Sequence, residues 1–367
     1  MGESAKNKAV VFVFVVYFIG GFLICLIRPS EEISRSERRK LEQFPEITGE
    51  AILNGSFMTD FGSYAVDQFP LRDQFRTVKA VLQYNVFSQK DNNSIYVADG
   101  YVSKLEYPLR ESSIEKAAKK LNTLYEMYFA QGNHKVYYGV IPDKNYFLAE
   151  ENGYPSMDYE KMAGILQANV EHMEYIPLFD TLSLEDYYRT DTHWSQEKLQ
   201  DTVNVIAQAM GFADRLQSTY TVQEFAPFYG VYYGQAAIPM KPDTIYYLTN
   251  DIIEACTVYH YETGETTKVY DMDKLNGMDP YDLFLSGASS LLTVENPNAK
   301  TDKELILFRD SFGSSIAPLF LEAYRKVTLV DIRYITSEYL GKFLEFDSQD
   351  VLFLYSTLVY NNSTMLK

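Results

Sequence analysis

The chain has 367 residues, with 33 Lys and Arg against 50 Asp and Glu and a formal net charge of -17. That acidity excludes a phosphate-reading nucleic-acid surface, and a hydrophobic content of 46% excludes general disorder. Two cysteines, one of them inside an apolar run, leave no disulfide framework and no Cys-rich metal centre.

Residues 1–8 read as a short polar tail, and 9–27 (AVVFVFVVYFIGGFLICLI) follow without one charge. At 1.5 Å per residue that run reaches ~28 Å, close to the hydrocarbon thickness of a bilayer. A buried core helix would carry a polar face, and a cleaved signal peptide would end on small residues; LICLIRPS supplies neither. The reading is an uncleaved transmembrane anchor. Lys6 and Lys8 precede it while Arg28, Arg35, Arg38, Arg39 and Lys40 follow. By Lys and Arg count alone the body would face the cytoplasm, but long domains translocate largely regardless of flanking charge.

Residues 28–53 are charged and polar, fitting a stalk. From 54 to 111 apolar residues recur at helical spacing (Phe57, Phe61, Tyr64, Ala65, then 75–87), a helical collar. From 112 to 367 helices and strands alternate. Ser113 reads as the N-cap of a helix bearing Ile114, Ala117, Ala118, Leu121 and Leu124 on one face. Strand 135–141 (KVYYGVI), helix 159–170 and strand 175–178 come next, then a helix capped by Ser195 and closed by Gly211. Residues 212–300 break the pattern as a Tyr- and Thr-rich β insertion with turn signals at Gly230, Gly234, Gly264 and Gly277. Strand 304–308, helix 314–324, strand 327–330, helix 337–344 and strand 351–355 complete the chain. Such alternation implies an α/β class fold, a mostly parallel sheet covered on both faces.

In open α/β sheets, sites gather beyond the carboxyl ends of strands. There the sequence places Asp143 and Lys144, the loop 190–195 (TDTHWS), Asp310 and Ser311, and Asp331 and Arg333. An Asp two residues before a His can accept the Nδ1 proton if the loop bends back, which fixes the tautomer. The same residues could instead merely satisfy a helix start. Ser311 sits between an apolar strand and an amphipathic helix, where free N–H groups can stabilise an oxyanion once a base takes its proton. Ser314 or Ser315 is the better helix cap by position, leaving Ser311 available. Metal binding is disfavoured, because His134, His172 and His260 join no matching cluster. No Gly-rich phosphate loop is present, and no cofactor is expected.

Together these pieces resemble the SGNH hydrolase-like superfamily in permuted order. Within it they resemble the DHHW family and the alginate O-acetyltransferase-like proteins, in which the Asp-His loop precedes the serine strand. The resemblance rests on TDTHW (190–194), with Thr192 replacing the family's middle histidine, and on RDSFGSSIAPLF (309–320). It rests also on ERRKLEQFP, NGSF, DQFPLRD, VIPDKN, FYGVYYG and VENPN, so it spans roughly residues 37–356. It implies a three-layer α/β/α domain with Ser311 as nucleophile, His193 as base and Asp191 as its orienter. It further implies O-acetylation of a cell-surface or secreted polysaccharide, an extracytoplasmic body, and an acyl donor supplied by a membrane-bound partner. Trp194, Lys144 and Arg333 are expected near substrate or oxyanion. The family's second oxyanion donors are not matched: no Gly follows Asp331, and Asn361 or Asn362 is the candidate Asn. An esterase with the same triad, or a polysaccharide-binding protein with a degenerate site, would carry the same residues.

Overall fold

The computed structural model describes residues 3–367 apart from Arg35 and Asn133. The start of the expected tail (Met1 and Gly2) and Arg35 of the positive flank lie outside the described residues. The chain forms two compact units. One is Met1–Asn92 with Tyr233–Pro239, and the other is Asn93–Tyr232 with Met240–Lys367.

In the first unit an α-helix runs Glu3–Ile27, so the expected tail is mostly helical, since nothing in SAKNK breaks a helix. Within it, Ser4–Gly21 is long and apolar enough to cross a membrane. The expected stalk is ordered. Strands β1 (Ile33–Ser34) and β2 (Arg39–Lys40) pair antiparallel, and a short helix, Gly49–Leu53, is capped by the Thr48 hydroxyl. Arg39 makes a forked ion pair with Asp67, at 2.7 and 2.5 Å, which ties the stalk to helix Ser56–Asp67. Helix Arg72–Val81 follows and loosens into a π-turn over Leu82–Val86. The collar therefore closes near Asn92 rather than at 111. Beyond it, β3 (Ile95–Ala98) and β4 (Tyr101–Lys104) form a hairpin of the second unit.

The second unit is built on an eight-stranded sheet. Its parallel part comprises β5 (Val136–Ile141), β6 (Glu174–Ile176), β12 (Glu304–Arg309), β13 (Lys326–Val330) and β14 (Asp350–Ser356). A separate hairpin, β7 (Thr221–Phe228) with β8 (Asp243–Thr249), comes from the expected insertion. The rest of that segment is not an insertion beside the sheet. Strands β9 (Thr257–His260), β10 (Thr266–Thr267) and β11 (Leu291–Glu295) extend the sheet antiparallel, giving the order β10-β9-β11-β13-β12-β14-β5-β6.

Strand periodicity sorts the core into two faces. Leu305, Leu307, Leu352 and Leu354 pack with Val203, Ile206 and Ala207 of helix Gln200–Met210. Ile306, Phe308, Val351 and Phe353 pack with Ile114, Leu121 and Leu124 of helix Glu111–Tyr128 and Met162 and Leu166 of helix Tyr159–Asn169. The result is the three-layer α/β/α arrangement the sequence implied. Gly211 ends its helix in the left-handed region, at φ 73°. Ser113 is not a cap: the helix starts at Glu111, and the buried Ser113 hydroxyl bonds the Tyr360 carbonyl and Ser363. The helix expected over 314–324 starts earlier, as Phe312–Ile316, and tightens to 3-10 over Ala317–Ala323. Pro318 lacks the N–H a continuing α ladder requires. A 3-10 helix, Ser337–Lys342, likewise replaces the helix expected over 337–344.

Candidate active site

The order of the parallel strands reverses around β12 and β14, the place where open α/β sheets form their crevices. At the end of β12, Asp310 does the work expected of a capping serine. Its Oδ1 accepts the Phe312 N–H at 3.0 Å and its Oδ2 accepts the Ser356 N–H at 2.8 Å, pinning the turn to the end of β14. Gly313 must be glycine, since a Cβ there would run into the Arg309 side chain. Ser311 occupies the N-cap position but makes no cap bond. Its hydroxyl meets His193 Nε2 at 2.7 Å. Its backbone N–H donates to no group among the described residues. Ser314 and Ser315, the expected caps, are buried inside the helix instead.

His193 arrives on a loop whose two limbs are paired. The Tyr188 N–H donates to the His193 carbonyl at 3.1 Å and the Ser195 N–H to the Asp186 carbonyl at 2.7 Å. The loop bends back as the Asp-x-His spacing requires. Asp191 Oδ1 accepts both the His193 backbone N–H, at 3.0 Å, and Nδ1, at 2.6 Å. Its Oδ2 accepts the Val231 N–H at 2.8 Å. Asp191 is wholly buried, His193 nearly so, and Ser311 partly open to solvent. Residues 118 positions apart thus form one line of hydrogen bonds, carboxylate to imidazole to hydroxyl.

Supports that sequence reasoning missed hold this loop from outside. Asp243, at the start of β8, accepts the N–H groups of Arg189 and Thr190, at 3.0 and 2.8 Å, and the Thr190 hydroxyl at 2.6 Å. The Gly230 N–H in turn donates to that hydroxyl at 2.9 Å. A Cβ on Gly230 would collide with the Asp191 backbone, so the FYGVYYG segment needs glycine there to lie against the loop. Tyr281 covers the imidazole in a near-parallel stack, with centroids 3.8 Å apart and planes inclined by 5°. The FYGVYYG segment was visible in the sequence, but nothing local marked its target; Tyr281 lies in an ordinary-looking turn.

The remaining expected residues are engaged elsewhere. Trp194 is fully buried rather than at a substrate surface; its indole N–H is shared between the Phe312 carbonyl at 3.2 Å and Ser315 Oγ at 2.8 Å. It therefore fastens the histidine loop to the serine helix. Lys144, also buried, donates to the carbonyls of Tyr188 at 2.9 Å and Arg189 at 3.3 Å. Burial pushes its ammonium down to about 7, against the pull of Asp191 and Asp243. Burial likewise pushes Asp143 up to about 6, although Thr357, Tyr159 and the Asn145 N–H donate to it. Arg333 folds back onto Asp331 through two bonds of 2.9 and 2.6 Å. Asn361 accepts the Arg110 N–H and donates to the Pro108 carbonyl, so its side chain closes a chain end rather than an oxyanion pocket. Among the described residues no third metal-type ligand joins Asp191 and His193.

No curated protein matches the chain. Among solved structures, a DHHW family protein from Eubacterium siraeum overlays with a TM-score of 0.61 at 19% identity, covering 75% of this chain and 95% of its own. Bacillus cereus PatB1 overlays with a TM-score of 0.58 at 17% identity, over 73% of this chain and 97% of its own. A second PatB1 structure, carrying a sulfonyl adduct, gives 0.56 at 18%, over 72% and 95%. The O-acetyltransferase domain of Pseudomonas putida AlgJ overlays more loosely, with a TM-score of 0.44 at 10% identity over 73% and 92%. The DHHW protein family model matches residues 162–330, the stretch that holds Asp191, His193 and Ser311. The DHHW likeness read from the sequence is thus matched by a family model over residues 162–330, and the Eubacterium siraeum protein and PatB1 share the α/β/α fold.

Proposed function

We propose that the protein is a membrane-anchored O-acyltransferase that acetylates a cell-surface or secreted polysaccharide. The observation that carries this reading is the unbroken line Asp191–His193–Ser311, with links of 2.6 and 2.7 Å. Ser311 Oγ attacks the acyl carbonyl while His193 Nε2 takes its proton, and Asp191 holds Nδ1–H so that Nε2 faces the hydroxyl. The unengaged Ser311 N–H stands at the same turn to receive the developing oxyanion. The leaving group departs with the proton from His193, and an acyl-serine remains. A sugar hydroxyl then gives its proton to His193, attacks the acyl carbon and leaves as the ester, which restores Ser311. Helix Glu3–Ile27 anchors the chain, the body lies outside the cytoplasmic membrane, and a separate membrane-bound partner presents the acyl group.

The test is covalent capture followed by transfer. A fluorophosphonate or sulfonyl fluoride should label the full chain and not Ser311→Ala. The chain pre-acylated with p-nitrophenyl acetate should pass its acetyl group to added oligosaccharide faster than to water. Labelling with release to water alone selects an esterase, and no labelling at all selects a binding protein. Protease added to intact protoplasts should digest the body; survival until lysis would reverse the orientation.

A further inference from the structure

The stack on His193 is built with more care than a packing contact needs. Tyr281 is 4% exposed, and its backbone N–H is held by Asp279 Oδ1 at 3.0 Å. Its ring is wedged by Phe284 at 5.1 Å and Tyr188 at 6.4 Å. Its hydroxyl donates to Ser315 Oγ at 2.8 Å, the same oxygen that accepts the Trp194 indole N–H. The phenol is thus fixed at both ends and lies flat on the imidazole. Phe312, the other ring on His193, is inclined at 59° with its centroid 4.9 Å away, so among the described residues only Tyr281 offers a parallel face. An aromatic face carries negative charge density and attracts a cation placed over it.

Resting on the acyl-transfer reading, we propose that Tyr281 is a positioning residue for His193. Its ring holds the imidazole plane between Asp191 and Ser311 and stabilises the imidazolium formed when the serine proton arrives. The attraction is weak for the neutral ring and stronger for the charged one, so it favours the state reached during attack over the resting state. Besides the inclined Phe312 ring, the polar groups on this imidazole are the Asp191 carboxylate on Nδ1 and the Ser311 hydroxyl on Nε2. Asp310 and Tyr188 lie near Tyr281, and Lys144 acts on Asp191. Replacing the Tyr281 ring removes none of these groups from the chain.

With four histidines in the chain, the His193 imidazole can be followed by carbon-13 NMR titration of the full chain, assigned with His193→Gln. Tyr281→Leu should lower its midpoint by about 0.5–1 pH unit. Tyr281→pentafluorophenylalanine keeps a flat ring, loses the bond to Ser315 as Phe does, but reverses the ring's charge distribution, and should lower it at least as far. Tyr281→Phe, which loses only the bond to Ser315, should leave it within about 0.2 unit. Fluorophosphonate labelling rates should follow: roughly 10-fold slower at the plateau for Leu and the fluorinated ring, with the acid limb moved down, and within about 3-fold of wild type for Phe. Unmoved midpoints in the Leu and fluorinated variants, or a Phe variant shifted as far as Leu, overturn the proposal. The titration needs no activity, so a chain that is never labelled would sink the acyl-transfer reading while the midpoints still decide the role of Tyr281.

Discussion

The two halves of the site are made in opposite ways. The serine half is local: strand β12, Asp310, Ser311, Gly313 and the following helix lie within one short stretch, and Asp310 bonds both the next turn and the neighbouring strand. The histidine half is assembled from afar. Asp243 and Gly230 hold Thr190, the Val231 N–H holds Asp191, Lys144 holds the carbonyls of Tyr188 and Arg189, and Tyr281 covers His193. A nucleophile needs only to be presented, and a strand-to-helix turn presents it. A base has to be aimed along two directions at once, and an irregular loop keeps such an aim only if others brace it.

If the proposed acyl transfer holds, the largest effects come from Ser311 and His193, where the two halves become indistinguishable. Ser311→Ala and His193→Ala should each cost on the order of 10³-fold or more in acetyl release from p-nitrophenyl acetate, and the double variant should cost no more than either. Asp191→Asn should cost less, because the proposed nucleophile and base remain in place. Additive losses would mean that the two groups serve different steps. Complete inhibition by chelator, or an active Ser311→Ala chain, would remove the serine mechanism altogether.

The braces separate the halves. Gly230→Ala forces a methyl group against the Asp191 backbone, and overpacking of this kind costs about 1–3 kcal/mol. Denaturant unfolding should register that loss, and the labelling rate should fall by about 10- to 100-fold as Asp191 is displaced. Gly313→Ala presses on the Arg309 side chain instead. It should disturb Ser311 while leaving the Asp191 bonds that brace His193 in place. A smaller loss of labelling is expected for Asp243→Asn, which turns an amide N–H₂ toward donors that now share a carboxylate. The cost should be about 1–3 kcal/mol in stability, with labelling slowed roughly 5-fold. Should Gly313→Ala and Gly230→Ala act alike on His193, the contrast between a local and a braced half would fail.

The same contrast explains what could be read without coordinates. Strands β5, β12, β13 and β14 announce themselves as short apolar runs between turn signals, since a strand covered on both faces has no polar side to show. The Asp191–His193 contact is legible because the two residues are two apart. The contact to Ser311 was reached through resemblance, not spacing, because a distance of 118 positions leaves no local trace. Strands β9, β10 and β11 look like an insertion in the sequence because antiparallel addition to a sheet edge follows no alternation with helices. The resemblance suggests Trp194 and Asn361 for substrate or oxyanion, and each is spent on holding backbone. Tyr281 was missed because nothing in DPYDL distinguishes a tyrosine that stacks on a catalytic-type histidine from one that fills a core.

The smallest expected effect on labelling comes from the Lys144 brace, and the sign of its effect on stability tests whether the histidine loop is held by a buried amine. Lys144 is pushed down to about 7 from its ordinary 10.5. Between those values the unfolded chain binds a proton that the folded chain lacks, so stability rises with pH across the window by at most about 1.4 kcal/mol per unit. That contribution is fully present above 10.5 and is lost as pH falls through 7. Asp143 works the other way and in a lower window: raised to about 6 from 3.8, it contributes stability below 3.8 that is lost as pH rises through 6. The windows do not overlap, so Lys144→Met removes one slope and leaves the other. Denaturant unfolding of wild type and Lys144→Met at pH 6, 7.5 and 9 should therefore give a stability difference that shifts in favour of wild type as pH rises. Its size at any one pH also contains the lost bonds to the Tyr188 and Arg189 carbonyls, but those bonds do not set the direction of the change. A difference that stays constant from pH 6 to 9 would mean that Lys144 keeps its charge in the fold, and the brace would then be an ion held near Asp191 rather than a neutral amine between two carbonyls.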